Sequence, residues 1–177
     1  SLRGKALGRL ELQADNRGGL WRIDRLALTN PDASFAADGQ WRPAAVRAPG
    51  AVSLNFKLDS GNAGKLLERL GYADALRRGT AKLEGRIGWA GVPTTIDYAS
   101  LEGSLGLEAK SGQFNKLDPG VGRLLGVLSL QSLPRRITLD FRDVFSEGFA
   151  FDSISGSMTV SRGIMETDSF LIQGPAA

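Results

Sequence analysis

Asp140, Asp143 and Glu147 crowd one short stretch, and paired carboxylates are the side chains that do acid–base work or hold a hard cation. Arg135, Arg136 and Arg142 stand beside them, so the stretch reads as a surface ion-pair cluster at the mouth of a sheet. The rest of the chain offers little to catalysis. Its 177 residues contain no histidine and no cysteine. Without histidine the commonest general base and transition-metal ligand is missing. Without cysteine there are no disulfides, no thiolate chemistry and no Cys-based zinc site, and the redox compartment stays open. No cofactor and no metal are expected, and the chain does not read as an enzyme.

Two glycine motifs fail on inspection. Gly120-Val121-Gly122-Arg123-Leu124-Leu125-Gly126 has its third glycine one place late for a dinucleotide fingerprint, and Pro119 sits where a strand should end. Gly61-Asn62-Ala63-Gly64-Lys65 misses the phosphate-loop pattern, because Asp59 holds the first glycine's place and Leu66 follows the lysine. The formal net charge is +3, with basic residues spread along the chain among acids. No nucleic-acid footprint follows from that pattern. Trp21, Trp41 and Trp89 each fall on an apolar strand face, which reads first as core packing; the functional alternative is contact with acyl chains at a groove rim.

The elements behind these residues are mostly strands. Ala51 to Asp59 alternates most cleanly, with Val52, Leu54, Phe56 and Leu58 on one face and Ser53, Asn55, Lys57 and Asp59 on the other. Gly8 to Ala14, Trp21 to Thr29 and Phe35 to Trp41 alternate too, with a phase slip near Asp24-Arg25 that predicts a β-bulge. Thr80 to Trp89 carries Leu83 and Ile87, and Tyr98 to Lys110 carries Leu101, Leu105 and Leu107, each set on one face. Short strands are expected around Ile137 to Phe141 and from Phe149 to Ile172. Asn62 to Leu70 has helical spacing with Gly71 as its stop, and Ala73 to Arg78 is expected to add a further turn.

A second helix is expected over Asp118 to Arg136, opened by Asp118-Pro119 and ended by Pro134. It carries Val121, Leu124, Leu125, Val127, Leu128, Leu130 and Leu133 nearly all round. At roughly 15 residues it is too short to span a bilayer. It must be wrapped by the sheet or laid on a membrane.

The sum is about ten strands and two helices, mainly antiparallel, with one apolar face on nearly every strand. Either two sheets face each other or one sheet curls so that its apolar face lines a groove. Twenty-three glycines is roughly twice the usual share. Gly39, Gly85, Gly103 and Gly156 fall on the apolar faces, where a missing side chain permits a bend or a close approach.

One long string of motifs goes further. Gly112-Gln113-Phe114, Asp118-Pro119-Gly120, Gly122-Arg123-Leu124-Leu125-Gly126, Leu128-Ser129-Leu130-Gln131, Leu133-Pro134-Arg135-Arg136, Leu139-Asp140-Phe141-Arg142-Asp143 and Gly148-Phe149-Ala150-Phe151-Asp152-Ser153-Ile154 together closely resemble the signature of the AsmA-like family. The match covers about the last third at motif level and is weaker before it. The resemblance implies a Gram-negative envelope protein, anchored in the inner membrane by an N-terminal helix and extending into the periplasm as a long curled β-sheet with an apolar groove. Members are implicated in carrying phospholipid from the inner to the outer membrane, and the family has no catalytic residues to carry over.

The expectation is a mainly β (α+β) chain, residues 1–177 forming a single C-terminal domain of a longer envelope protein. Its largely antiparallel, strongly curled sheet forms an apolar groove or half-barrel, with two short helices, one apolar and packed on the concave face. The expected partners are phospholipid and a membrane on the outer-membrane side, with no nucleic acid. The expected lipid-binding residues, from strand alternation, are Val52, Leu54, Phe56, Leu58, Leu83, Ile87, Leu101, Leu105 and Leu107. Val121, Leu124, Leu125 and Leu128 are expected on a gating or docking helix. The alternative is a structural module that closes the groove and contacts the outer membrane or an envelope protein partner.

Overall fold

A computed structural model of the chain describes residues 7–115 and 148–174. Eight antiparallel strands follow one another in sequence order across one sheet: β1 (Arg9–Arg17), β2 (Leu20–Thr29), β3 (Ala33–Arg42), β4 (Ala51–Ser60), β5 (Leu76–Ala90), β6 (Glu102–Phe114), β7 (Phe149–Ser161) and β8 (Ile164–Gln173). Of the two arrangements open to the sequence, the single sheet is the one formed. The first and last strands are not paired to each other, so the sheet is open rather than closed into a barrel.

Local chemistry explains the connections. Gly18 and Gly19 take φ of 60° and 86°, which suits a two-residue hairpin. Asn30 makes the next turn with its side chain, its Oδ1 accepting from the N–H groups of Asp32 and Ala33, both at 2.9 Å. The expected bulge is present: Ile23 pairs with Gly39, and the ladder resumes with Leu26 opposite Ala37.

One α-helix, α1 (Ala63–Arg69), lies among the described residues. Asn62 caps it, its Oδ1 accepting from Lys65 N–H at 3.0 Å, and Gly71 follows it in the left-handed region at φ 97°. The further turn expected over Ala73 to Arg78 is not formed. β5 begins at Leu76 instead, because Phe114 and Gly112 of β6 offer pairing partners to Leu76 and Arg78. Arg78 and Gly79 take φ of 57° and 80°, and the register runs on unbroken from Arg78 opposite Gly112 to Thr80 opposite Lys110.

The short strands expected after Phe149 are two long ones. Asp-Ser and Ser-Gly pairs there look like turn signals. In the fold Ser153, Ser155 and Ser157 pair with Lys110, Glu108 and Gly106, and the strand runs on. Tyr98 to Ser100, expected within a strand, is a single 3-10 turn capped by Asp97, and β6 starts after it. The β6–β7 connection passes through residues 116–147. The helix expected over Asp118 to Arg136, the strand near Ile137 and the acidic cluster at Asp140, Asp143 and Glu147 lie outside the described residues.

Candidate functional site

The register turns one-strand alternation into rows across the sheet. Leu10, Leu28, Phe35, Leu58, Leu83 and Leu107 stand side by side on consecutive strands, and Gly156 and Phe170 complete the row. The next row is Leu12, Leu26, Ala37, Phe56, Gly85, Leu105 and Met158, ending at Thr167. A third holds Ala14, Ile23, Gly39, Leu54, Ile87, Gly103, Val160 and Met165. A fourth, shorter row sets Val52 between Trp41 and Trp89.

Side-chain size alternates along these rows. Phe56 is flanked by Ala37 and Gly85, and its ring stacks on Phe35 at 6.4 Å. Two glycines mark close approach between strands. A Cβ on Gly85 would lie 2.8 Å from Leu105 Cα, and one on Gly103 would lie 2.9 Å from Ile87 Cα. Real Cβ atoms do not approach backbone that closely, so these positions admit only glycine without a shift.

Among the described residues nothing seals the face. Leu54, Phe56, Leu58, Leu83, Ile87, Leu105 and Leu107 are all half-buried. Val52, at 3% exposed, is part of the packed floor with Trp89, at 5%. Burial is deepest on β7, where Phe151, Ile154, Met158 and Val160 are buried. Leu101 stands just ahead of β6, half-buried, with its carbonyl accepting from Gly163 N–H at 2.9 Å. The candidate helix residues Val121, Leu124, Leu125 and Leu128 lie outside the described residues.

The opposite face is polar and carries its charges in cross-strand pairs. Lys57 meets Glu84 and Lys82 meets Asp59, each at 3.9 Å, and Asn55 donates to Asp38 at 2.9 Å. Asp24 accepts a hydrogen bond from the exposed Arg22 guanidinium and holds its pKa above the usual arginine value. Among the described residues no three acids gather as a metal would need, and no helix is long and apolar enough to cross a membrane.

Seven of the nine residues singled out from alternation therefore share one half-buried face, Val52 is buried on the same face in the row between Trp41 and Trp89, and Leu101 sits at its end. Leu28, Phe35, Met158 and Phe170 belong to the same rows and were not singled out. Alternation marks each of them on its own strand, but only register shows that Leu28, Phe35 and Phe170 continue the row through Leu58, Leu83 and Leu107, and that Met158 continues the row through Phe56 and Leu105.

A family model described as YhdP protein matches residues 1–177. The chain is 32% identical, over 97% of its length, to the intermembrane phospholipid transporter YhdP of Escherichia coli (strain K12). It spans 13% of that relative's length. No solved structure matches it. An open antiparallel sheet with one apolar face, matched from end to end by that model, belongs to the YhdP family.

Proposed function

We propose that this chain is one segment of a bridge-like phospholipid transporter, and that acyl chains lie on the apolar face while headgroups stay in water. The observation that carries the reading is the set of continuous apolar rows left half-buried on an eight-stranded sheet. A sheet needs its apolar face covered, and lipid tails are a suitable cover. Each methylene withdrawn from water is worth about 0.8 kcal/mol, so affinity comes from many weak contacts and no single residue is essential. The close approaches at Gly85 and Gly103 favour a sheet that coils into a groove. Family membership and the relative's name support phospholipid as the cargo. In this reading residues 1–177 form a single domain of a longer protein. That protein is anchored in the inner membrane of a Gram-negative bacterium, and this segment works in the periplasm on the outer-membrane side. The groove does no chemistry.

The test is lipid extraction and mass spectrometry on the purified chain and on Phe56→Asp and Phe56→Leu variants checked for folding. An unpaired carboxylate on this face must be desolvated wherever an acyl chain lies, whereas leucine keeps the face apolar. The expected result is co-purifying phospholipid in the parent and in Phe56→Leu, and little in Phe56→Asp. Equal lipid in all three removes the conduit from this face.

A further inference from the structure

Exposed apolar side chains are not scattered evenly over this molecule. Six of the ten large ones among the described residues stand at one end of the strands: Trp21, Val46, Val92, Ile96, Tyr98 and Ile164. Val46 is wholly exposed, at 103%, and Tyr98 is 71% exposed. Val46 lies in the β3–β4 connection and Val92, Ile96 and Tyr98 in the β5–β6 connection, while Trp21 and Ile164 open β2 and β8 beside the β1–β2 and β7–β8 turns; these alternate connections all lie along the same rim of the sheet.

The connections are tied into one structure. Trp21 stacks on Trp41 with centroids 6.4 Å apart, and Trp41 Nε1 donates to the Gly91 carbonyl at 3.1 Å. Gly91 N–H donates to the Gly50 carbonyl at 2.8 Å, and Trp89 Nε1 to the Val92 carbonyl at 3.0 Å. Gly163 N–H reaches the Leu101 carbonyl at 2.9 Å, which joins the last turn to the same rim. The indole N–H groups of Trp41 and Trp89 are spent on holding the loops, so the loops are presented by a fixed frame.

Arginines alternate with these apolar residues. Arg42, Arg47 and Arg162 lie on the same rim, with no ion pair to any of them among the described residues. Of the nearby acids among the described residues only Asp15 is ion-paired, and Asp97 keeps its charge while capping its own turn. Asp15 holds Arg17 at 2.6 Å, and Asp97 accepts from Ala99 N–H at 3.2 Å and from Ser100 Oγ at 2.7 Å. Glu166 stands inside β8, and Glu102, exposed at the start of β6 level with Ile164, adds one acid to a rim that carries three such arginines.

From this we infer that the rim formed by the four connections, with Val46, Ile96 and Tyr98 at its tips and Arg42, Arg47 and Arg162 between them, docks on the surface of an anionic phospholipid bilayer. From β2 to β8 is six strand intervals, so the rim is about 28 Å long at the usual spacing. Its apolar groups are separate projecting points rather than a continuous flat patch. A rigid protein partner would need a matching socket for each point, whereas acyl chains and headgroups yield around all of them. Aromatic rings with a polar tip and arginines beside short apolar side chains are the composition of a membrane–water interface. Arginines with no ion pair among the described residues gain from anionic headgroups, by about 1 kcal/mol for each basic residue at the surface. The rim borders the apolar face at Trp41 and Trp89, so a lipid leaving the bilayer there meets the proposed acyl face directly. The inference builds on the transport reading but is tested apart from it.

The experiment is vesicle flotation of the purified 177-residue chain, using phosphatidylethanolamine with phosphatidylglycerol and, in parallel, phosphatidylcholine alone. The variants are Val46→Asp with Ile96→Asp and Tyr98→Asp, and Arg42→Gln with Arg47→Gln and Arg162→Gln, both checked by thermal melting. Leu171→Asp, exposed on the polar face of β8, is the control. Binding to the anionic vesicles is expected to fall roughly tenfold or more in each rim variant and to stay unchanged in the control. Quenching of tryptophan fluorescence by brominated lipid is expected in the parent and lost in the rim variants. Phe56→Asp is expected to lose co-purified lipid and keep vesicle binding, which separates failure of the rim from failure of the groove. Unaltered vesicle binding in both rim variants overturns the inference. So does a parent that ignores vesicles but forms a dimer abolished by the rim substitutions, because the rim's occupant is then a second copy.

Discussion

Asp32 and Arg69 lie 37 residues apart in sequence and are joined through two hydrogen bonds, Asp32 Oδ2 accepting from Arg69 Nη2 at 2.6 Å and from Nε at 3.0 Å. The Asp32 side chain is 9% exposed. Its carbonyl also accepts from Ser60 Oγ at 2.9 Å and Gly61 N–H at 3.1 Å. One residue therefore fastens the β2–β3 turn, the end of β4 and the helix together. Removing one member of a well-buried pair costs about 3–5 kcal/mol, and partial exposure of the arginine moderates that. Asp32→Ala is expected to lower stability by about 2–3 kcal/mol in urea unfolding, more than any exposed ion pair on the polar face.

The exposed pair Lys57–Glu84, at 3.9 Å, is the comparison. Exposed pairs contribute between nothing and about 1 kcal/mol. Lys57→Ser is expected to shift stability by less than about 0.5 kcal/mol and to leave co-purified lipid unchanged, because Lys57 neighbours Phe56 in sequence but stands on the other face. Loss of lipid in Lys57→Ser would place the binding face wrongly.

Gly85→Ala and Gly106→Ala separate close approach from mere flexibility. An added Cβ at Gly85 meets Leu105 Cα at 2.8 Å, whereas at Gly106 nothing lies within 4 Å. Overpacking against backbone costs about 1–3 kcal/mol. Gly85→Ala is expected to cost that much in the denaturation midpoint, and Gly106→Ala to be neutral or slightly stabilising. Equal effects would mean that the strands do not approach closely at Gly85.

Trp89→Phe keeps most of the ring and removes the N–H that reaches the Val92 carbonyl at 3.0 Å. With Trp89 only 5% exposed, a loss of about 1–2 kcal/mol is expected from the cavity and the lost hydrogen bond together. The same variant is expected to loosen the β5–β6 loop, read as faster amide exchange over residues 91–97.

Alternation, turn residues and composition make much of this chain legible from sequence. Val52, Leu54, Phe56 and Leu58 declare a half-buried strand, because a two-residue period is the geometry of a strand. Asn62 and Gly71 bound the helix because they cap it, and the slip at Asp24-Arg25 is a bulge because the chain must restore its phase. The absence of histidine and cysteine narrowed the chemistry, and the ordered motif string pointed to the family.

Tertiary pairing decided the rest. Ala73 to Arg78 reads locally as one further turn, but β6 offers an edge to Leu76 and Arg78, and ladder hydrogen bonds outweigh a weak local preference. The serines of β7 read locally as turns and became the polar side of a long strand for the same reason. Register, set between strands far apart in sequence, made Leu10, Leu28, Phe35, Leu58, Leu83 and Leu107 neighbours and brought Arg69 to Asp32. It also gathered Trp21, Val46, Tyr98 and Ile164 on one rim. Sequence specifies what each strand shows to its two faces; which strands stand side by side is settled by the sum of non-local contacts, and that sum exists only in the folded sheet.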